Sequence, residues 1–184
     1  MTRIENRASS VPKMFLDRVA ATPSTEAFRY PDNGGWASVT WSQVGDRVEL
    51  IAAGLISLGI NAEDRVALAS GTRYEWVVVD FGILSAGAAT TTVYPTTNAE
   101  DVAFIVANSG SRVVVAENQT QVDKLVEHRS EIPAVEKVVI IDGKGDGDWV
   151  ITLEELEQLG KQLLADSPNA VTERVEAIRP EQLA

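Results

Sequence analysis

The chain has 184 residues, of which 45% are hydrophobic and 23% are charged, and its formal net charge at pH 7 is −11. A chain of this length can bury roughly 70% of its unfolded surface. Its composition is typical of a globular protein and excludes a disordered or coiled-coil chain. The acidic balance, without a basic stripe, argues against nucleic acid as a partner. It also disfavours a helix that lies on a membrane surface.

The sequence contains no cysteine, which excludes disulfides, thiolate metal sites and cysteine nucleophiles. The longest apolar stretch, residues 51–60, is too short for a membrane span of about 20 residues. Residues 1–10 are polar and lack the apolar block of a secretory signal. We therefore expect a cytoplasmic protein without a membrane span, and peripheral membrane attachment stays open.

Residues 1–64 predict a lead-in helix, a β-hairpin and a second, amphipathic helix. Pro12 suits the first turn of a helix over residues 11–21, and Pro23 ends it. The run Pro31–Gly35 tolerates the positive φ of a tight turn and separates two short β segments, so it predicts the hairpin. We expect Trp36, Trp41 and Trp76 to pack in the core or against the hairpin.

The second helix is predicted from Thr40, whose spacing to Gln43 is that of a capping box. Apolar residues then recur at steps of four and three, which gives one apolar stripe, and Gly59 suits the helix end. Thr97 and Thr152 show the same capping-box spacing and predict two more helix starts. Four leucines follow Thr152 at helical spacing.

Residues 65–166 alternate short β-rich runs with helical ones, which is typical of an α/β fold with a parallel sheet and crossover helices. The strands are nearly continuous apolar or threonine runs, as expected when both faces of a sheet are covered. Strands are predicted over residues 66–70, 89–93, 112–116 and 137–141, and helices over residues 73–87, 97–108 and 118–130. Residues 167–184 have little apolar content and are interpreted as a connector to a missing downstream part.

Residues 70–98 combine a strand end, a helix rich in Gly and Ala, and a second strand. This stretch resembles the front half of an adenylate-forming (AMP-binding) enzyme, in particular a bacterial long-chain fatty-acyl-CoA synthetase. The matching residues are Arg65-Val66, Arg73, Glu75-Trp76, Asp80-Phe81-Gly82-Ile83-Leu84, Ala86-Gly87-Ala88 and Val93-Tyr94-Pro95-Thr96. Thr90-Thr91-Thr92 departs from the apolar strand residues that related synthetases usually carry at this point. The final run, residues 178–184, resembles the segment that precedes the Ser/Thr/Gly-rich phosphate loop of that family.

The resemblance implies a two-step reaction. A fatty carboxylate attacks the α-phosphate of ATP and releases pyrophosphate, and the thiol of coenzyme A then captures the acyl-adenylate. Backbone amides, Mg²⁺ and a lysine must stabilise the phosphate charge. By the resemblance these groups, the nucleotide contacts and the hinge lie beyond Ala184. No catalytic, cofactor-binding or metal residue is therefore assigned, and the fragment is expected to be inactive, with none of these cofactors bound.

Two other interpretations remain open: a sister adenylate-former, such as a fatty-acyl-AMP ligase or an aryl-acid-activating enzyme, and a non-catalytic α/β interaction domain. A truncation inside a larger lobe would leave sheet edges and apolar helix faces bare, so self-association of the isolated fragment into a dimer or higher oligomer is expected.

Four residues are candidates for the substrate side of the site. Ser70 and Arg73 follow a strand and open a helix, where helix amides can bind an anion. The alternative is that Ser70 or Thr72 caps the helix while Arg73 pairs with a carboxylate. Tyr94 and Thr96 follow the next strand, and a role in the cleft wall is favoured over catalysis.

Two further features are interpreted as surface structure. Residues 142–148 have some spacing of a calcium loop, but Lys144 and Leu153 stand where ligands are needed. The same residues lack the Lys-Ser/Thr pair of a phosphate loop, so a flexible turn is favoured. The single histidine, His128, is expected on a solvated helix face, and one histidine without cysteine offers no zinc ligand set.

Overall fold

The computed structural model describes residues 8–32 and 34–183. Seven of the ten residues examined for a secretory signal, residues 1–7, lie outside this part, as does Asn33 in the predicted hairpin turn. The helices are α1 Val11–Ala21, α2 Trp41–Ser57, α3 Tyr74–Ser85, α4 Ala99–Ser109, α5 Gln119–Glu127, α6 Leu153–Asp166 and α7 Ala170–Ala177. The strands are β1 Glu26–Asp32, β2 Gly35–Thr40, β3 Arg65–Ala69, β4 Ala89–Val93, β5 Ser111–Asn118, β6 Lys137–Asp142 and β7 Val150–Thr152. No helix in the described ranges has the length and hydropathy to cross a membrane.

The predicted α/β class with a parallel sheet is confirmed. Five strands form the sheet in the order β4-β3-β5-β6-β7, and every neighbouring pair is parallel. Val66 of β3 lies opposite Thr90 of β4 on one side and Val113 of β5 on the other. Strands β1 and β2 pair separately as the predicted antiparallel hairpin.

Helices cover both faces of the sheet, and alternate residues of β3 enter different apolar clusters. Val66 and Leu68 pack in a cluster that contains residues of α1, α2, α3, α6 and α7. Ala67 and Ala69 pack in a second cluster with residues of α4 and α5. Because side chains alternate along a strand, the two clusters lie on opposite faces. The sheet is therefore the dry middle layer of three.

Two of the three predicted capping boxes are confirmed. At α2 the Thr40 amide donates to Gln43 Oε1 at 2.9 Å, and the Gln43 amide donates to Thr40 Oγ1 at 3.3 Å. Thr152 and Glu155 make the same reciprocal pair at α6. The prediction for Thr97 is wrong, because Asn98 is the N-cap of α4 and accepts from the Asp101 amide at 2.9 Å. A short Asn side chain one position later reaches the free amide.

Other differences concern the tryptophans and the C-terminal part. Trp36 is 70% exposed on the hairpin instead of packed. Trp149 is buried and donates from Nε1 to the Val135 carbonyl at 3.1 Å, ahead of a strand, β7, that was not predicted. Within the expected connector, α7 forms a helix that buries Val171 and Val175 in the core. The packing of α2 against α3 and α6 also crosses the predicted division at residue 65.

Glycines allow α2 and α6 to approach closely. A Cβ atom added to Gly160 would lie 2.9 Å from the Gly54 backbone nitrogen and would overlap the Leu50 carbonyl. A Cβ on Gly54 would lie 2.8 Å from Leu156 Cγ. Because backbone atoms form part of this contact, a repacked side chain cannot relieve it. The two glycines thus set the distance between the helices.

We expect Gly160→Ala to lower the free energy of unfolding by about 1–3 kcal/mol, since overpacking a fixed contact forces backbone shifts. In an open helix the same change would stabilise by about 1 kcal/mol. Urea unfolding would measure the difference. The control is Gly35→Ala, whose added Cβ meets only the Asp32 carbonyl at 3.6 Å. Equal stability of the two variants would contradict the close helix approach.

Candidate site at the carboxyl edge of the sheet

The strand order places a topological switch point between β3 and β5. Strand β3 connects through α3 to β4 on one side, and β4 connects through α4 to β5 on the other. Because α3 and α4 cover opposite faces, the connections leave a crevice at the carboxyl ends of β3 and β5. Open α/β sheets bind ligands at such a crevice. Ser70 and Gly71 follow β3 there, and Glu117 lies near the end of β5.

The crevice has the donors of an anion site, but the chain supplies its own anion. The Gly71 amide donates to Glu117 Oε2 at 2.7 Å. The Ser70 hydroxyl lies 3.0 Å from the Gly71 carbonyl and 3.4 Å from the same carboxylate oxygen. Ser70 is only 6% exposed. Glu117 therefore occupies the amide that an anionic ligand would use, a role that no local sequence pattern indicates.

The alternative interpretation of residues 70–73 combines a capping role for Ser70 or Thr72 with an ion pair of Arg73, and only the ion pair is confirmed. Neither Ser70 nor Thr72 caps α3, because Arg73 is the N-cap residue and no side chain bonds to the free amides. The predicted pairing of Arg73 is confirmed: its Nε donates to Glu75 Oε2 at 2.6 Å, and its two Nη atoms donate to the Asp142 carboxylate. Hydrogen bonding to Asp142, followed by that to Glu75, raises the pKa of Arg73. This clamp joins the start of α3 to the end of β6.

Glu75 also lies near a second arginine, Arg47, which packs on an aromatic ring. Arg47 donates to Glu157 at 2.9 Å and lies 4.0 Å from Glu75. Its guanidinium carbon lies 5.4 Å from the centroid of the Tyr74 ring. Tyr74 in turn stacks on Tyr30 of the hairpin, with ring centroids 4.6 Å apart and planes within 6°. These contacts hold the hairpin against the first turn of α3.

Three of the four candidate residues line two clefts, and Thr96 lines neither. Ser70 and Tyr94 line a small cleft of about 210 Å³ with Trp76 and Thr92, and Thr96 is not among its lining residues. Tyr94 is 79% exposed. Lys124 of α5, which the sequence analysis missed, donates to the carbonyls of Pro95 and Thr97 and so fixes the turn that carries Tyr94 and Thr96.

Arg73 lines a larger cleft of about 650 Å³ that lies between the hairpin and the start of α3. We call it the aromatic cleft, and its walls include Phe28, Tyr30, Thr72, Arg73, Tyr74 and Glu117. Its aromatic residues come from segments more than forty positions apart in the sequence. No local pattern could have brought them together.

Residues 142–148 form a surface turn that the chain satisfies internally. Asp142 is committed to Arg73, and Asp146 Oδ1 accepts from the amides of Asp148 and Val150 at 2.8 Å each. These amides lower the pKa of Asp146. Across residues 8–32 and 34–183, no group of three or more His, Cys, Asp or Glu residues is arranged to hold a metal ion.

His128 is less solvated than expected. Its side chain is 19% exposed, and its Nδ1 lies 2.8 Å from Glu131 Oε1. This hydrogen bond, with help from neighbouring acids, raises the pKa of His128. The residue is the C-cap of α5 and lines neither cleft.

Comparisons with known proteins give consistent results. The family described as AMP-binding enzyme matches residues 15–184. The long-chain-fatty-acid–CoA ligase FadD15 of Mycobacterium bovis is 34% identical over 185 residues, which cover 94% of this chain and 30% of that protein. The chain thus spans about a third of that relative. Uncharacterized protein Rv1549 of Mycobacterium tuberculosis is 34% identical over 78% of both chains. The crystal structure of the anthranilate CoA ligase AuaEII with anthranoyl-AMP shares the fold, with a TM-score of 0.73 and 19% identity over 86% of this chain and 29% of that one.

We expect Arg73→Met to lower the free energy of unfolding by about 1 kcal/mol, because it keeps the aliphatic stem but leaves Glu75 and Asp142 without their shared cation. The loss should shrink at high salt. The matched control is Arg29→Met, which removes an exposed ion pair to Glu26 and should change stability by less than about 0.5 kcal/mol. Chemical denaturation at two salt concentrations measures both. Equal effects of the two changes would argue against the clamp.

Proposed function

Because the chain belongs to the AMP-binding enzyme family, we propose that it is the N-terminal segment of an ATP-dependent long-chain fatty-acid–CoA ligase. The relative that supports this substrate class is FadD15, which matches nearly the whole chain. The complete enzyme would form an acyl-adenylate from fatty acid and ATP, and then acyl-CoA, AMP and pyrophosphate. ATP, Mg²⁺ and coenzyme A would act with residues outside this segment.

The segment itself is proposed to be inactive. The observation that supports this is that donors at the switch-point crevice are already paired with carboxylates of the chain. Attack of the fatty carboxylate on the α-phosphate of ATP requires unpaired hydrogen-bond donors and cations near the phosphate oxygens, where negative charge develops. Here the Gly71 amide is bonded to Glu117, and Arg73 is bonded to Glu75 and Asp142. A triphosphate at the crevice would face the Glu117 carboxylate and would have to displace it. Charge repulsion therefore opposes nucleotide binding to this segment alone.

In the complete enzyme we propose a supporting role for the four candidate residues. Ser70 and Tyr94 would form part of a cleft wall, since both line the small cleft beside α3. Arg73 would brace the loop between β3 and α3 through its carboxylate partners. Thr96 would shape the turn that Lys124 holds.

A second candidate function is a non-catalytic α/β domain that acts without further enzyme segments. The observation in its favour is that the match to Rv1549 covers 78% of that protein's own length, against 30% for FadD15. A third candidate is a sister enzyme that stops at the adenylate. Product analysis of a complete parent enzyme separates ligase from sister, because only the CoA ligase forms a thioester.

The purified 184-residue chain should show no fatty-acid-dependent exchange of labelled pyrophosphate into ATP. The physical reason is that Glu117 occupies the Gly71 amide, and Glu75 and Asp142 occupy Arg73, so the crevice presents carboxylates to a nucleotide. A complete long-chain-fatty-acid–CoA ligase, assayed at equal molarity with Mg²⁺, serves as the positive control. Exchange above the buffer rate that scales with chain concentration would refute the proposal.

We also expect the isolated chain to form dimers or higher oligomers through the open edge of β4, which pairs only with β3 among the described residues. Light scattering after size exclusion measures the mass. Thr92→Lys places a charge on this edge at an exposed position and should shift the mass toward the monomer. Thr172→Lys, exposed on α7, is the matched control and should leave the mass unchanged. A monomeric unsubstituted chain at working concentration would exclude self-association.

A further inference from the structure

The aromatic cleft has the size and lining of a small-molecule site. Its volume of about 650 Å³ lies within the usual range of about 300–1,000 Å³ for ligand pockets. Its apolar walls come from Phe28, Tyr30, Pro31, Tyr74 and Val77. Phe28 and Tyr74 lie with ring centroids 6.1 Å apart at 57°, and Tyr30 is stacked on Tyr74. The rings brace one another, so the wall is preformed.

The charges around the cleft are predominantly negative. The lining contains the carboxylates of Asp32, Glu75 and Glu117 and the guanidinium groups of Arg29 and Arg73. Both guanidinium groups are committed, Arg29 to Glu26 and Arg73 to Glu75 and Asp142. Counting these partners, carboxylates outnumber guanidinium groups. An anionic ligand would therefore find no uncommitted cation in the lining.

Glu117 supplies a specific acceptor in this negative field. Its Oε2 accepts from the Gly71 amide and lies within reach of the Ser70 hydroxyl. Its Oε1 accepts no hydrogen bond from any residue that the structure describes. An ionised carboxylate oxygen has further lone pairs for donors. Glu117 is therefore held in place by one oxygen, and the other has no partner among the described residues, at the switch point where α/β sheets bind ligands.

The same wall already attracts a cation of the protein. The Arg47 guanidinium lies over the Tyr74 ring at 5.4 Å from its centroid. Aromatic faces attract cations through their negative quadrupole, and a nearby carboxylate adds to this attraction. A neutral apolar ligand would use the rings but would leave the Glu117 oxygen facing an apolar group.

We propose that the aromatic cleft binds a small organic cation, with an ammonium group donating to Glu117 Oε1 and an aromatic or aliphatic body lying against Tyr30 and Phe28. This site does not depend on the proposed ligase function. It uses residues of the hairpin and of the switch point that the adenylation chemistry leaves unassigned.

The test titrates the 184-residue chain with 2-phenylethylammonium, followed by amide shifts in two-dimensional NMR spectra. The neutral isostere, 2-phenylethanol, is titrated in parallel. We expect saturable shifts centred on Gly71, Tyr74 and Glu117, with the neutral compound at least about fivefold weaker. The affinity for the cation should fall as salt is raised.

Two variants and one control separate recognition from folding. Glu117→Gln keeps an oxygen for the Gly71 amide but removes the charge, and it should weaken cation binding about fivefold to tenfold without changing binding of 2-phenylethanol. Tyr30→Leu should weaken both compounds. Glu176→Gln removes an exposed carboxylate on α7 and should change neither affinity. Thermal unfolding confirms that each variant is folded.

The proposal is overturned if the chain shows no saturable shifts, or if 2-phenylethanol binds as tightly as the cation. It is also overturned if folded Glu117→Gln binds the cation as the unsubstituted chain does. A shift pattern remote from the hairpin and Gly71 would place binding elsewhere and would equally refute this site.

Discussion

The structure depends on an interior parallel strand, β3, whose two faces are both covered by apolar side chains. A parallel sheet has no polar face, so each of its strands must be covered by helices on both sides. Val66 and Leu68 meet the larger helical layer, whereas Ala67 and Ala69 meet α4 and α5. The Gly54–Gly160 contact then brings α6 onto α2 and closes the larger layer over the sheet. Because both layers are closed, the carboxyl edge is where side chains are free to form a site.

At that edge the chain satisfies its own polar groups. Glu117 bonds to the Gly71 amide, Arg73 bonds to Glu75 and Asp142, and Lys124 bonds to two carbonyls of the turn after β4. The contacts of Glu117 and Asp142 each join the end of a strand to the connection that follows β3. The crevice is consequently braced from within, and its charge is that of carboxylates. A fold can thus place a crevice where open α/β sheets bind ligands and still present to a nucleotide the same negative charge that the nucleotide carries.

Sequence reasoning succeeded where the determining interaction is local. The capping boxes at Thr40 and Thr152 depend on residues three positions apart, and the buried run Val113–Val115 is apolar whatever its neighbours are. Prediction from the sequence failed where the structure depends on a choice between adjacent residues or on a contact between distant residues. Asn98 competes with Thr97 for one cap, and α7 is held by only two buried valines, a pattern too short to predict a helix.

The candidate site shows the same limit. Arg73 could be identified because it lies at a strand-to-helix junction, and its pairing with a carboxylate was expected from its charge. Its partner Asp142 and the anion Glu117 were not predictable, because they depend on the strand order, which places β5 beside β3 and β6 on the far side of β5. The hairpin joins the site through the stacking of Tyr30 on Tyr74 and the contact of Phe28 with Tyr74, and these residues lie more than forty positions apart in the sequence. The aromatic cleft forms where these non-local contacts meet, so its lining is determined by the order of the strands and by the position of the hairpin. The negative charge of Glu117 then determines which ligands the cleft favours.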